Sequence, residues 1–427
     1  MSTKPASPPA RPAPARERRG HGRVSLEDVA ALAGVTSMTV SRFLREPGKV
    51  ASATRERIRE AIQRTGYLPN LQAGRLASGS SAAWRPSGAA SLRAAAGGSA
   101  GTNAGKSAGI SAGKGASTSG ALAGSSRGSS QSSSQGGANA ASGRAAAAAM
   151  VALLIPNIAN SIFAETVQGL SDGLHGSGHE LLLASTNYSI EREEEQLRVL
   201  LGWLPSAIVV TGRRHTPGSL KLLRAAQDSA TPVIEIWDHH ITRSSAAGGF
   251  AQIGFDHRAV GRAMAEHLLD RGCKRLAYVD SGVAEDFRAH ERGAGFQAAA
   301  RARGAQVQLV AAPAGDPFDA GRASLDTLLR GTARTRVDAA AFANDPLACG
   351  ALLEAQARGV DVPGQLALLG FGDFALGRQL RPALSSVRPP RYEIGQQAAR
   401  ALLAALRDGQ PPRHCSLPWV IEARAST

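Results

Sequence analysis

The chain has 427 residues, room for two or three domains with a sizeable core, and carries a formal net charge of +15. No apolar run approaches the roughly 20 residues needed to span a bilayer, and the Pro- and Arg-rich start lacks the apolar segment of a secretory leader. Three widely separated cysteines, Cys273, Cys349 and Cys415, show no metal-ligand spacing and fit reduced thiols in a cytoplasmic protein without a metal or cofactor.

The charge is unevenly placed. Residues 1–80 hold 14 Lys and Arg against 6 Asp and Glu, and 81–148 hold 6 basic residues and no acidic ones, whereas 149–427 hold 29 against 28. A basic amino-terminal third on a nearly neutral body suggests a polyanionic partner at that end. A tail that merely keeps the chain soluble is the plainer reading of the same charge.

Residues 1–23 read as a disordered basic tail. Ser25 is a good N-cap, and Glu27 and Asp28 put negative charge in the first turn, where the helix dipole favours it. Leu26, Val29, Ala30 and Ala33 share one helical face. Gly34 ends that helix, because a residue at C′ often needs positive φ. Thr36 caps a second helix over Ser37 to Leu44, with Ser37, Met38, Ser41 and Arg42 on the polar face and Val40, Phe43 and Leu44 inward. A third helix is expected from about Ser52, with imperfect capping, to Thr65, ended by Gly66. Two short helices across a tight glycine turn make a helix-turn-helix, although ordinary helical hairpins share that pattern.

Residue detail separates the two. The string Thr39-Val40-Ser41-Arg42-Phe43-Leu44, after Leu26-Glu-Asp-Val-Ala30 and before Tyr67-Leu-Pro-Asn70, resembles the headpiece of the lactose-repressor (LacI-type) family. The resemblance implies that Ser37, Met38, Thr39, Ser41 and Arg42 face operator DNA, with Arg42 the guanine reader. It also makes the stretch holding Asn70 and Leu76 a hinge helix that orders on DNA, Leu76 wedging the minor groove. Gly74 weakens that helix by about 1 kcal/mol relative to Ala, in keeping with a need for DNA.

Residues 80–148, after a headpiece and hinge at 24–79, are Gly, Ala and Ser with scattered Arg and Lys. Such a stretch buries too little apolar surface to offset its chain entropy and reads as a flexible linker. It departs from the family pattern, in which the hinge passes into the core within a few residues, and so loosens the expected coupling. Within it, Ala100 to Ser107 matches a relaxed phosphate-loop pattern, but without a strand before it or a helix after it the match is compositional.

From Met150 strands and helices alternate. Strands are expected at Val151–Ile155, His179–Ser185, Ala207–Thr211, Val233–Trp237, Gln252–Phe255, Arg275–Asp280, Ala339–Phe342 and Leu366–Phe371. Helices are expected over Ser161–Leu174, Arg192–Trp203 and Arg258–Arg271. The fold class is therefore α plus α/β: a helical headpiece, then over 149–427 two doubly wound parallel sheets in series. That core resembles the two-lobed, periplasmic-binding-protein-like body of LacI-type regulators.

Doubly wound sheets bind ligands outside the carboxyl ends of their strands. Asn160 and Phe163 follow the first strand and His215 the third; Glu235, Trp237 and Asp238 end the fourth. Arg288, Arg292, Asn344, Asp345 and Asp373 follow later strands. Each has a plainer reading: helix caps for Asn344 and Asp345, partial core for Trp237. The family resemblance implies that Arg292 is the effector-cleft arginine, Phe163 an aromatic packed on the ligand, and Asn344-Asp345 the polar pair before a helix. Gly372 stands where many sugar-binding members have Asp, with Asp373 next. A finer resemblance, to gluconate-utilisation repressors, rests on Met38 to Leu44, Phe163-Ala-Glu165, Thr211 to Pro217, Glu235-Ile-Trp-Asp238 and Gly370-Phe-Gly-Asp373.

These features imply a ligand-controlled transcriptional repressor, homodimeric because no terminal heptad helix follows Trp419, with operator DNA and a sugar acid as partners and no catalytic residues. A sugar-acid-processing enzyme lacks a nucleophile elbow or metal-spaced histidine pair to support it. An architectural DNA-binding protein would have no need of the large neutral α/β body.

Overall fold

The computed structural model describes residues 24–67, 149–159, 161–240, 249–332 and 334–427. Asn70, Leu76, Asn160 and the low-complexity stretch with its phosphate-loop-like run lie outside the described residues.

The headpiece is three helices, α1 (Leu26–Ala33), α2 (Ser37–Arg45) and α3 (Ser52–Thr65). Local chemistry sets their ends. The Ser25 hydroxyl accepts from the Asp28 N–H while the Asp28 carboxylate accepts from the Ser25 N–H, a closed capping box. Gly34 sits at φ 62, the left-handed conformation that lets α1 stop and α2 begin three residues later. Thr36 caps α2 through the Thr39 N–H, whereas Ala51, at the N-cap of α3, offers no side-chain cap. Val29, Ala33, Val40, Phe43, Ile58 and Tyr67 close a small core among them.

In the core, a first lobe is built from β1 (Ala149–Ile155), α4 (Ala164–Leu174), β2 (His179–Ser185), α5 (Ile190–Gly202), β3 (Ala207–Thr211), α6 (Pro217–Asp228), β4 (Val233–Asp238) and β5 (Ala251–Phe255). The chain then crosses over. It makes α7 (His257–Asp270), β6 (Arg275–Asp280), α8 (Phe287–Ala302), β7 (Gln306–Ala311), α9 (Pro317–Leu328) and β8 (Ala339–Phe342). The second lobe continues through α10 (Asp345–Ala357), β9 (Ala367–Phe371), α11 (Ala375–Gln379) and β10 (Ser385–Arg388). A second crossing leads to α12 (Arg391–Asp408) and β11 (Cys415–Ser416), and a third to β12 (Val420–Glu422).

The strand orders are β11-β5-β4-β3-β1-β2 and β12-β10-β9-β8-β6-β7, parallel except where β12 runs against β10. Strands buried on both faces read as continuous apolar runs, which is why Ala207–Thr211 was legible as a strand. The helix expected from Ser161 opens with one 3-10 turn, Ser161–Phe163, before α4.

The crossings exchange helices: α7 follows a first-lobe strand but packs on α8, and α12 follows a second-lobe strand but packs on α4. Both contacts need glycine on each partner. A Cβ on Gly261 would strike the Arg292 carbonyl and one on Gly295 that of Arg258; Gly169 and Gly395 stand likewise against Tyr392 and Thr166. The α7–α8 packing places Arg292, and the α4–α12 packing places Arg391, at the seam between the lobes. No helix among the described residues is long and apolar enough to cross a membrane.

Candidate functional site: a reading helix and an interlobe seam

On α2 the exposed residues are Ser37, Met38, Arg42 and Arg45. Met38 is 67% exposed, a large apolar side chain offered to solvent on the polar side of a helix. Thr39 and Ser41 are half-buried and have local partners: the Thr39 hydroxyl lies 3.0 Å from that of Thr36, and Ser41 accepts from Arg45 at 3.1 Å. Arg42 and Arg45 add positive charge at the end of the helix. A solvent-facing helix with two guanidinium groups, one exposed hydroxyl and one apolar tip has the chemistry of a major-groove reader.

In the first lobe, the His215 side chain is fully buried between two carboxylates. Its Nδ1 is 2.7 Å from Glu193 Oε1 on α5, and its Nε2 is 3.3 Å from Glu235 Oε1 on β4. Gln252 of β5 donates to the other Glu235 oxygen at 2.8 Å. Burial opposes a charged imidazole, but the hydrogen bonds to Glu193 and then Glu235 outweigh it and lift the His215 pKa to about 9. The cluster holds Glu235 rigidly.

Between the lobes the charges are denser. Trp237 packs edge-on to Phe163, with ring centroids 5.3 Å apart, and its Nε1 donates to Thr166 at 3.2 Å. It sits at φ 73, strained for a bulky residue. The facing strand tolerates this because a Cβ on Gly254 would lie 2.5 Å from both Trp237 C and Asp238 N. The bend turns Asp238 into the seam, where its Oδ2 lies 3.8 Å from Arg288 Nη1 on α8. Burial lifts the Asp238 pKa to about 7, while Arg288 and Arg213 pull it down.

Arg288 also lies 4.9 Å from the Phe287 ring and 6.0 Å from that of Phe163. Arg213, from the loop after β3, reaches across to Glu291 of α8, with Arg214 3.9 Å from the same oxygen. Arg292 donates from Nη1 to His257 Nδ1 at 3.0 Å and from Nη2 to the Ala343 carbonyl at 2.8 Å, with its guanidinium 4.0 Å from the Phe371 ring. Burial, and then Arg292 and Arg288, hold His257 well below its usual pKa. A neutral ring accepting at Nδ1 carries its proton on Nε2, which donates to the Trp237 carbonyl at 2.9 Å. Asp238 Oδ2, Arg288 Nη1, Arg213 Nε and Arg292 Nε are buried without a hydrogen-bond partner.

The second-lobe candidates are engaged in structure. Asn344 caps α10 by accepting from Leu347 N–H. Asp345 accepts from Ser386 Oγ at 2.6 Å and from Phe374 N–H at 2.7 Å, and burial raises its pKa to about 6. The Asp373 carboxylate is buried and paired with Arg424 at 2.5 Å and Arg378 at 2.9 Å. Phe163, Trp237, Asp238, Arg288 and Arg292 therefore meet at the seam; His215 and Glu235 form the buried cluster described above; Asn344, Asp345 and Asp373 brace loops. Sequence reading missed Glu193, His257, Phe287, Glu291 and Arg391, which reach these groups from elements distant in the chain. Only the adjacency of Phe287 to Arg288 was visible in advance.

Two family models match: "Bacterial regulatory proteins, lacI family" over residues 25–70 and "Periplasmic binding protein-like domain" over 265–427. The HTH-type transcriptional regulator GntR of Pseudomonas aeruginosa is 31% identical over 416 residues, 96% of this chain and 98% of its own length. GntR of Escherichia coli K12 is 28% identical over 90% of this chain and 92% of its own. Among solved structures, the transcription regulator GntR from Chromobacterium violaceum covers 65% of this chain and 98% of its own at 31% identity and a TM-score of 0.58. A LacI-family regulator from Silicibacter pomeroyi covers 94% and 99% at 26% identity and a TM-score of 0.60.

Proposed function

Because the chain belongs to the lacI family of bacterial regulatory proteins, and is a DNA-binding transcriptional regulator on that ground, we propose that it is a repressor whose operator affinity is set by a sugar acid, gluconate or a close relative, in the interlobe seam. It acts as a cytoplasmic homodimer on a near-palindromic operator, one α2 in each major groove. Ser37, Met38 and Arg42 read base edges, and Asn70 and Leu76 belong to the hinge that engages the minor groove.

The observation that carries this reading is the charge of the seam. Arg213 and Arg214 pair with Glu291, Arg288 lies opposite Asp238, and Arg292 is hydrogen-bonded to His257; four polar atoms of this group are buried without partners. Unpaired buried donors beside excess positive charge favour an anion rich in hydroxyls. Because Arg213 and Asp238 belong to one lobe and Arg288 and Arg292 to the other, such a ligand favours one lobe arrangement. Linkage then couples it to DNA: operator must weaken ligand binding by the factor by which ligand weakens operator binding. Phe163 forms the apolar wall, Glu235 is an acceptor held rigidly by His215 and Gln252, and Arg292 is a guanidinium fixed by His257. The reading makes the protein a binder, with no catalytic step.

Calorimetry of the full chain against aldonic acids and matched neutral sugars tests it. Saturable binding of about one aldonate per chain, with neutral sugars silent, is expected. Neutral sugars binding and aldonates silent would overturn it.

A further inference from the structure

The headpiece core is closed by Val29, Ala33, Val40, Phe43, Ile58 and Tyr67, yet one large apolar side chain of α2 is left out of it: Met38 is 67% exposed. A side chain so exposed adds almost no burial to the headpiece. Its surroundings identify what covers it. Met38, Arg42 and Arg45 follow one another at i, i+4 and i+7 along a single stripe of α2. Among the described residues neither arginine has an ion pair, and the acid next in the chain, Glu46, is held by Lys49 at 2.7 Å. A cationic stripe with an apolar tip fits a polyanion and not an apolar protein surface.

The side chains of the stripe sort by what they can bond. The Thr39 hydroxyl lies 3.0 Å from that of Thr36, and Arg45 donates to Ser41 Oγ at 3.1 Å, so these groups are taken up within the headpiece. Arg42 has the fork that matches guanine O6 and N7, and the Ser37 hydroxyl suits several bases. Met38 has no donor and only a weak thioether acceptor. Of the groups that bases present in the major groove, the C5-methyl of thymine is the apolar one. Four residues of α-helix advance about 6 Å, and B-DNA rises about 3.4 Å per base pair, so Met38 and Arg42 address positions within about two base pairs of each other.

We propose that Met38 is a thymine reader: its exposed side chain packs on the C5-methyl of a thymine within about two base pairs of the guanine read by Arg42, so that each operator half-site holds a thymine and a guanine at that spacing. This inference rests on the reading above that α2 lies in the major groove, and adds which chemical group of which base Met38 recognises. The flexible thioether chain adapts to the methyl without demanding one exact register. Uracil keeps the hydrogen-bonding edge of thymine and lacks only the methyl, and so isolates the contact.

The test uses the full chain and a near-palindromic duplex that it enriches from a random pool, with affinity read by fluorescence anisotropy at fixed salt. Each thymine is replaced in turn by uracil, symmetrically in both half-sites. In wild type one such replacement weakens binding about 15-fold, or about 4-fold for each methyl no longer buried. In Met38→Ala the same replacement costs less than about 2-fold. The ratio of two duplexes on one variant does not move with a general loss of stability. The sensitive thymine lies within about two base pairs of the guanine whose replacement by adenine Arg42→Ala no longer senses. Uracil costing less than about 2-fold at every thymine in wild type, or a penalty that stays near the wild-type value in Met38→Ala, overturns the thymine reader while leaving base reading by Arg42 standing. A sensitive thymine farther from that guanine overturns the shared stripe. If the chain enriches no duplex over random DNA, the reading that α2 addresses base edges falls as well.

Discussion

Replacing His215 with Gln should remove a pH-dependent part of the stability of the first lobe. The His215 ring is buried between Glu193 and Glu235, and its pKa stands at about 9 against an ordinary 6.5. A rise of about 2.5 units at about 1.4 kcal/mol per unit amounts to about 3 kcal/mol favouring the charged, folded form. Because the folded value lies above the unfolded one, this contribution is complete below about pH 6.5 and is lost as pH rises through about 9. Denaturant unfolding of wild type and His215→Gln, followed by tryptophan fluorescence at equal protein concentration, reads the difference at pH 6.5 and pH 9.5. Groups common to both proteins cancel in that difference, including Asp238 and Asp345, whose windows lie below about 7. The stability gap should shrink by about 3 kcal/mol across the interval. A gap that stayed constant would refute the doubly paired imidazolium.

Other consequences are simpler to read. Arg42→Ala should cost roughly 1–3 kcal/mol per half-site in preference for operator over random DNA, checked by competition binding at fixed salt, with non-specific affinity changing far less. Gly395→Ala should destabilise the chain by more than about 2 kcal/mol, measured by urea unfolding, because its Cβ would strike the Thr166 carbonyl on α4. Gly254→Ala should do the same and also weaken gluconate binding in calorimetry, since its Cβ would press on the Trp237–Asp238 backbone that aims the seam carboxylate.

The headpiece was legible almost to the residue because its signals are local. Ser25 with Asp28, Gly34 and Thr36 each fix a helix end through atoms within four residues. The buried parallel strands were legible for a related reason: apolar runs such as Ala207–Thr211 admit few other readings. Strand β7, Gln-Val-Gln-Leu-Val-Ala, escaped because it lies at a sheet edge and is largely exposed. Strand β10 escaped because its buried serines are satisfied from far along the chain: Ser385 N–H donates to Ser426 and Ser386 Oγ to Asp345. The seam was half legible. Strand-end position picked out Asp238, Arg288 and Arg292, but not that His257 and Ala343 already occupy both terminal nitrogens of Arg292. That sharing depends on α7 crossing to the second lobe, which no local pattern announces.

The central claim, that sugar-acid binding in the core controls DNA reading, is tested most directly by one affinity. A near-palindromic duplex enriched from a random pool by the full chain is titrated by fluorescence anisotropy at fixed salt, with and without saturating gluconate. The account predicts tight binding to the enriched duplex and at least several-fold weaker binding with gluconate, with the same factor recovered when operator is added to a gluconate titration. Equal operator affinity in the two titrations would contradict it.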